Sequence, residues 1–206
     1  PSHAALLGVF VEEALSVLKK KGKKALDAVA VSSGPGSYTG LRIGVSVAKG
    51  LCFGFGIPLI GIHTLDIMAA TVNSKGDSQI VSITDDCLYC AMLDARRMEV
   101  YAAIYDASLK PVRETKDDIV EVGTYASYLE KGKVCFFGNG ASKCKSVITS
   151  PNAIFIEDIH PLAVNMIPLS EQAFATGKFE DTAYFEPFYL KEFQATVAKN
   201  KVLLAR

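Results

Sequence analysis

The stretch that most constrains this chain runs Val31-Ser-Ser-Gly-Pro-Gly-Ser-Tyr-Thr-Gly-Leu-Arg-Ile-Gly-Val-Ser-Val-Ala-Lys-Gly-Leu-Cys52, a strand passing through a glycine-rich turn into a helix. Ahead of the turn, Leu26, Ala28, Val29, Ala30 and Val31 form a short apolar run, as expected of a strand buried on both faces. Gly34, Pro35 and Gly36 interrupt it. Glycine opens backbone angles closed to other residues and lets another backbone or a phosphate come close. Ser37 or Thr39 is then placed to cap the helix. Gly40, Gly44 and Ala48 recur four apart on one helix face, which should be flat enough for a neighbouring backbone to approach.

Neither common phosphate-binding pattern is met. A Walker loop ends in Gly-Lys-Ser/Thr, whereas Gly40 is followed by Leu41 and Arg42. The dinucleotide fingerprint lacks its third glycine, because Tyr38 and Thr39 follow the Gly34-Pro-Gly36 turn. Read on pattern alone, the stretch is an ordinary α/β crossover.

Ser33-Gly-Pro-Gly-Ser-Tyr-Thr-Gly-Leu-Arg-Ile-Gly44 nevertheless resembles the signature of the bacterial TsaB (YeaZ) family. The resemblance continues through Leu93-Asp-Ala-Arg96 with Glu99-Val-Tyr101, Gly138-Asn-Gly-Ala141 and Pro187-Phe-Tyr-Leu-Lys191, so it covers nearly the whole chain in order. It implies an α/β, actin-like (ASKHA, ribonuclease H-like) fold of two similar half-domains. These are expected at residues 1–84 and 85–206, the latter with a C-terminal tail. An actin-like half opens with three strands before its first helix, so the first half is expected to lack its N-terminal strands here. Roughly thirty residues are accordingly expected ahead of Pro1.

Composition limits the partners. The chain balances 22 basic against 22 acidic side chains, whereas a protein that grips tRNA alone normally shows a basic excess. This chain is therefore a poor candidate for the main RNA-binding surface. Half of its residues are apolar and 21% are charged, as in a globular domain. The longest apolar run, Leu51 to Ile62, is cut by glycines and Pro58 and does not read as a membrane span. Cysteines 52, 87, 90, 135 and 144 sit in apolar surroundings, and strand alternation would send Cys87 and Cys90 to opposite faces. Reduced structural thiols in the cytosol are expected.

Along the chain, Ser2 is a candidate N-cap for a first helix whose apolar residues, Ala5 to Leu18, cover a wider arc than one core face requires. The lysines at 19, 20, 21, 23 and 24 read as a solvated helix end complementing the dipole, with Gly22 as the stop. Strands are expected at Pro58–Ile62 and Gln79–Thr84 on either side of a helix from His63. A hairpin pairing Leu88–Leu93 with Glu99–Asp106 follows. A helix near Thr124–Lys131, a strand at Val134–Phe137, a helix over Leu162–Thr176 strained by Pro168, and an aromatic extended tail complete the reading.

The catalytic chemistry is incomplete. In TsaD, the metal-bearing relative, the strand after the glycine turn leads into a His-x-x-x-His pair. The matching positions here are His63 and Ile67, and isoleucine cannot coordinate a metal. His3 and His160 lie far off without a partner at helical spacing, so no metal site is expected. Ser33, Ser37 and Thr39 have no histidine and acid that the sequence places beside them. Asp94, Arg96 and Arg97 read as a hairpin tip with a local ion pair or, through the resemblance, as a cleft-facing cluster with Asn139. Gly138, Asn139 and Gly140 resemble the adenosine-side turn of actin-like ATPases, yet the fold's phosphate-binding hairpin is missing. No cofactor is expected, with nucleotide confined to a partner interface.

The resemblance thus implies a non-catalytic cytoplasmic scaffold. It would bind a TsaD-like catalytic subunit, and through it a TsaE-like ATPase, for threonylcarbamoyl transfer to the adenosine beside the anticodon, touching tRNA only indirectly. The expected interface uses Leu6, Phe10 and Leu15 with Gly40, Arg42, Gly44, Val47, Ala48 and Leu51, buries about 1,600 Å² in total, and would equally serve a homodimer. The alternatives are a metal-dependent glycoprotease-like or transferase enzyme, and a sugar- or acetate-kinase-like phosphotransferase.

Overall fold

The computed structural model describes residues 3–22, 26–74 and 87–191. Helix α1 (His3–Lys20) is followed by β1 (Val29–Gly34), α2 (Tyr38–Phe55), β2 (Leu59–His63) and α3 (Thr64–Ser74). Then come β3 (Leu88–Asp94), β4 (Glu99–Tyr105), β5 (Pro111–Ile119), α4 (Ala126–Leu129), β6 (Val134–Phe137), α5 (Ala141–Cys144) and β7 (Ala153–Ile156). A 3-10 turn at Ala163–Met166 leads into α6 (Ile167–Ala175). The expected cap at Ser2 and strand at Gln79–Thr84 lie outside the described residues, as does the end of the tail.

β1 and β2 pair in parallel, while the remaining strands form one sheet in the order β5-β4-β3-β6-β7. Its first three strands are an antiparallel meander, and β6 and β7 add in parallel. This is the strand order of the ribonuclease H-like half of an actin-like fold, and the β1–β2 pair repeats its β6–β7 end. Gly34, closing β1, has φ 113°, and Gly138, just after β6, has φ 99°. Two matching strand ends thus use the same left-handed turn, a duplication of backbone that the sequence does not display.

Strand alternation divides the core. Cys90, Met92, Val100, Ala102, Ile104, Val134 and Phe136 face Tyr125, Leu129, Cys144 and Ile148. On the opposite face, Ala91, Ala103, Tyr105 and Phe137 receive Leu65, Met68, Ala69 and Val72 of α3. The other side of α3 sends Ile67 into Ile60, Ile62, Met166 and Ala173. One helix therefore fills the space between both sheets.

Several boundaries differ from the sequence reading for identifiable reasons. The helix expected over Thr124–Lys131 is only the single turn α4. Pro168 does not strain a helix interior: it sits in the first turn of α6, where its missing N–H is harmless. β1 is half-buried along residues 29–32 rather than buried on both faces. β5 was not anticipated, because as a sheet-edge strand it is rich in charge.

A bulge in β5 accounts for its least expected feature. Between the pairs Ala102↔Lys116 and Ile104↔Arg113 the strand gains one residue, which brings Arg113 and Asp118 onto one face. The guanidinium donates to both carboxylate oxygens, at 3.1 and 2.5 Å, and to the Ala102 carbonyl at 3.2 Å. The Tyr125 hydroxyl donates to Asp118 at 2.7 Å. Burial pushes the Tyr125 phenol up, with the Cys90 sulfur and the Asp118 hydrogen bond adding to it. Both charged side chains are largely shielded, 15% and 11% exposed, so removing one strands the other. Asp118→Asn should lower the unfolding free energy by about 3 kcal/mol and Tyr125→Phe by about 1 kcal/mol, measured by urea titration.

Candidate functional site

The segments singled out in the sequence converge on one line across the molecule. The line begins where β1 ends. Ser37 is the N-cap of α2, its hydroxyl accepting from the Gly40 N–H at 3.3 Å. From α6 the chain returns along β2, with the Glu180 N–H donating to the Leu59 carbonyl at 2.9 Å. The Lys49 ammonium holds this strap to α2 by donating to the carbonyls of Ala183 and Phe185, both at 3.0 Å. The strap then crosses the glycine turn, where the Phe188 N–H donates to the Ser33 carbonyl at 2.7 Å. A Cβ on Gly34 would lie 2.7 Å from the Phe188 carbonyl oxygen, so only glycine admits the strap.

Aromatic contacts seat it further. Tyr189 packs on Tyr38 at 5.2 Å between ring centroids, and Phe188 meets His63 edge-on at 5.1 Å. Arg42 lies over the Tyr38 ring and donates to its hydroxyl at 2.6 Å. Beyond Phe188, the Lys191 ammonium pairs with the Glu99 carboxylate of β4.

Glu99 leads to the second glycine turn. The Lys143 ammonium donates to the Glu99 backbone carbonyl at 2.6 Å and pairs with the Asp94 carboxylate. The Asp94 N–H donates to the Asn139 side-chain oxygen at 3.0 Å, and the Arg96 N–H to the Asp94 carboxylate at 2.9 Å. Asp94, the Arg96 backbone and Asn139 therefore meet, with Arg96 and Arg97 in left-handed conformation at the hairpin tip. At Gly140 a Cβ would lie 2.8 Å from the Leu93 carbonyl carbon, which fixes how closely this turn approaches β3. Sequence reasoning missed Lys143, the cation that ties hairpin to turn; its place three residues after Gly140 was the available signal.

Between the strap and the meander lies a cavity of about 270 Å³ lined by His63, Asp66, Tyr105, Glu114, Thr115 and Phe188. The Tyr105 hydroxyl donates to Asp66 at 2.6 Å, and burial together with that carboxylate pushes the phenol up. His63 is exposed at the cavity wall, while Ile67, one helical turn on, is fully buried in the core. Among the described residues no three His, Cys, Asp or Glu side chains gather as a metal set. Ser33 is buried under the strap; Ser37 and Thr39 are exposed at the helix start.

The residues expected at a partner interface separate into two groups. Ala48 is 4% exposed and packs with Cys52 and Leu59, and the nearest atom to a Cβ on Gly44 would be Val31 Cγ2 at 3.8 Å. The Gly44 and Ala48 part of the stripe therefore lies against β1 and β2 of the same chain. Leu51 and Val47 are half-buried, whereas Gly40 and Arg42 are exposed. On α1, Leu7, Val11, Leu15 and Leu18 are half-buried at helical spacing, leaving Leu6, Val9, Phe10 and Val17 exposed. Phe53, at 88% exposed, stands at the far end of α2.

Residues 1–199 match the family described as TsaD: tRNA N6-adenosine threonylcarbamoyltransferase. The tRNA threonylcarbamoyladenosine biosynthesis protein TsaB of Escherichia coli (strain K12) is 30% identical over 186 residues, which cover 81% of this chain and 71% of that protein. The solved structure of YeaZ from Pseudomonas aeruginosa superposes with a TM-score of 0.66 at 25% identity, covering 84% of this chain and 79% of that one. A second structure, described as an uncharacterized protein with similarity to peptidase YEAZ from Pseudomonas aeruginosa, gives 0.71 at 23% identity over 88% and 82%, and shows the shared fold.

The hydrogen bond from Lys143 holds the Asp94 carboxyl below its ordinary range. A depressed folded-state value means that this contact contributes fully above the ordinary carboxylate pKa and is lost as pH falls through the depressed one. Carboxyl-detected NMR should show Asp94 titrating below an ordinary aspartate. In Lys143→Met the midpoint should move back up; an unmoved midpoint would remove Lys143 as the cause.

Proposed function

Because this chain belongs to the TsaB (YeaZ) family of tRNA threonylcarbamoyladenosine biosynthesis proteins, we propose that it acts in that process as a non-catalytic cytoplasmic scaffold. Its role is to bind a TsaD-like subunit and, through it, a TsaE-like ATPase. The partner supplies the metal and the transfer chemistry. This chain positions it for threonylcarbamoyl transfer to the adenosine beside the anticodon.

The observation that carries the reading is the apolar surface of the first two helices. Phe10 is 58% and Val9 57% exposed on α1, and Phe53 is 88% and Phe55 54% exposed on α2. Large aromatic and aliphatic side chains turned to water on two neighbouring helices favour a protein partner, and aromatic residues are common anchors of such contacts. The non-catalytic half of the reading is supported by Ile67, since the position matching a metal ligand in TsaD belongs here to a closed apolar core. Even charge balance agrees with a subunit that leaves tRNA to its partner. No helix among the described residues is long and apolar enough to cross a membrane.

The same helices offer a second copy of this chain a place to dock when the partner is absent, and any nucleotide would lodge between subunits. The test is Phe53→Arg and Phe10→Asp, assayed by co-purification with a TsaD-like subunit. Each should weaken association at least about tenfold while circular dichroism stays native. Undiminished co-purification in both variants would remove these helices as the contact.

A further inference from the structure

β3 and β6 lie side by side in parallel, with Leu88 opposite Val134 and Tyr89 opposite Cys135. Cys87 immediately precedes β3, and its sulfur lies 2.9 Å from that of Cys135. Both are free thiols, 2% and 0% exposed. The separation is shorter than ordinary contact between two non-bonded sulfurs and longer than a covalent bond.

The other three cysteines are engaged elsewhere. Cys90 points to the opposite face of the sheet, among Met92, Val100 and Phe136. The Cys144 thiol donates to the Gly140 carbonyl at 3.3 Å and that of Cys52 to the Pro58 carbonyl at 3.4 Å. Sequence spacing draws attention to Cys87 and Cys90, yet the neighbour of Cys87 in space is 48 positions away along the chain.

We propose that Cys87 and Cys135 are a dithiol that closes to a reversible intramolecular disulfide on meeting a peroxide, clamping the start of β3 to β6. The Cys87 thiolate attacks one peroxide oxygen, breaking the O–O bond; it becomes a sulfenic acid and the other oxygen leaves, taking up a proton. The Cys135 sulfur then displaces the sulfenic oxygen, which departs as water with the Cys135 proton. Two thiols lose two electrons, the peroxide gains them, and a dithiol reductant reverses the step.

The surroundings favour this order of attack. The hydrogen bond from Cys135 holds the Cys87 thiol below its ordinary value, with Lys133 assisting, while the same bond pushes Cys135 up. Burial pushes the thiols of Cys52, Cys90 and Cys144 up, leaving them poor nucleophiles. Closure cross-links chain segments far apart in sequence and so restricts the unfolded state.

The full chain is treated with hydrogen peroxide and examined by intact-mass spectrometry, then denatured, alkylated and peptide-mapped. The expected result is a loss of about 2 Da, with three of the five thiols still alkylatable. One cross-linked peptide pair should contain Cys87 and Cys135, dithiothreitol should reverse it, and the melting temperature should rise by several degrees. Cys87→Ser and Cys135→Ala should each abolish the cross-link, and Cys90→Ser should leave it intact. Five alkylatable thiols after peroxide, or cross-links that join other cysteines instead, would overturn the assignment without any variant having to fold.

Discussion

Backbone meets backbone where Phe188 crosses Gly34, and the arrangement of the molecule follows from that crossing. The Phe188 N–H reaches the Ser33 carbonyl at 2.7 Å, while a Cβ on Gly34 would stand equally close to the Phe188 oxygen. A hydrogen bond this short at a position where no side chain fits requires glycine in a left-handed turn, which Gly34 supplies at φ 113°. Once the strap is seated, Lys191 reaches Glu99, and Glu99 shares Lys143 with Asp94. The strap thus runs from the two-stranded sheet to the meander.

The second bond between the sheets is α3, which is apolar on both faces. One face of the helix packs on Ala91, Ala103 and Phe137, the other on Ile60 and Ile62. Ile67 belongs to the second face and is fully buried. A metal ligand there would need an open coordination site and a polar outer shell; the isoleucine instead contributes apolar area to the core between the sheets. His63, one turn earlier, remains exposed and is left to pack against Phe188. At this position the chain has a firm apolar junction between the sheets.

Much of this was legible in the residues, and the failures have physical causes. The apolar run, glycine turn and small-residue helix predicted β1 and α2 well, because local turn chemistry and helical periodicity fix them. The hairpin of β3 and β4 was equally readable from its alternating apolar residues. β5 was invisible because an edge strand carries charges on both sides of its pleat, and its bulge alters the alternation. β7, a strand of four residues that begins just after Pro151, is too short to announce a period. The small-residue stripe of α2 was expected to admit a neighbouring backbone, but the atom nearest a Cβ on Gly44 would be a side-chain carbon of Val31, and Gly40 is exposed. Aromatic residues near the C-terminus read as extended, yet their path over Gly34 depends on contacts spanning most of the chain, which no local pattern encodes. The same limit hid Lys143 behind Asp94 and Cys135 behind Cys87.

Amide hydrogen exchange at Phe188 shows whether the glycine turn serves to receive the strap. Its N–H should exchange as slowly as the amides of β1 and β2, and Gly34→Ala should speed it by orders of magnitude while the β3–β4 amides stay protected. A Phe188 amide that exchanges at the rate of an unstructured peptide in the unaltered protein, or keeps its protection in Gly34→Ala, would contradict it.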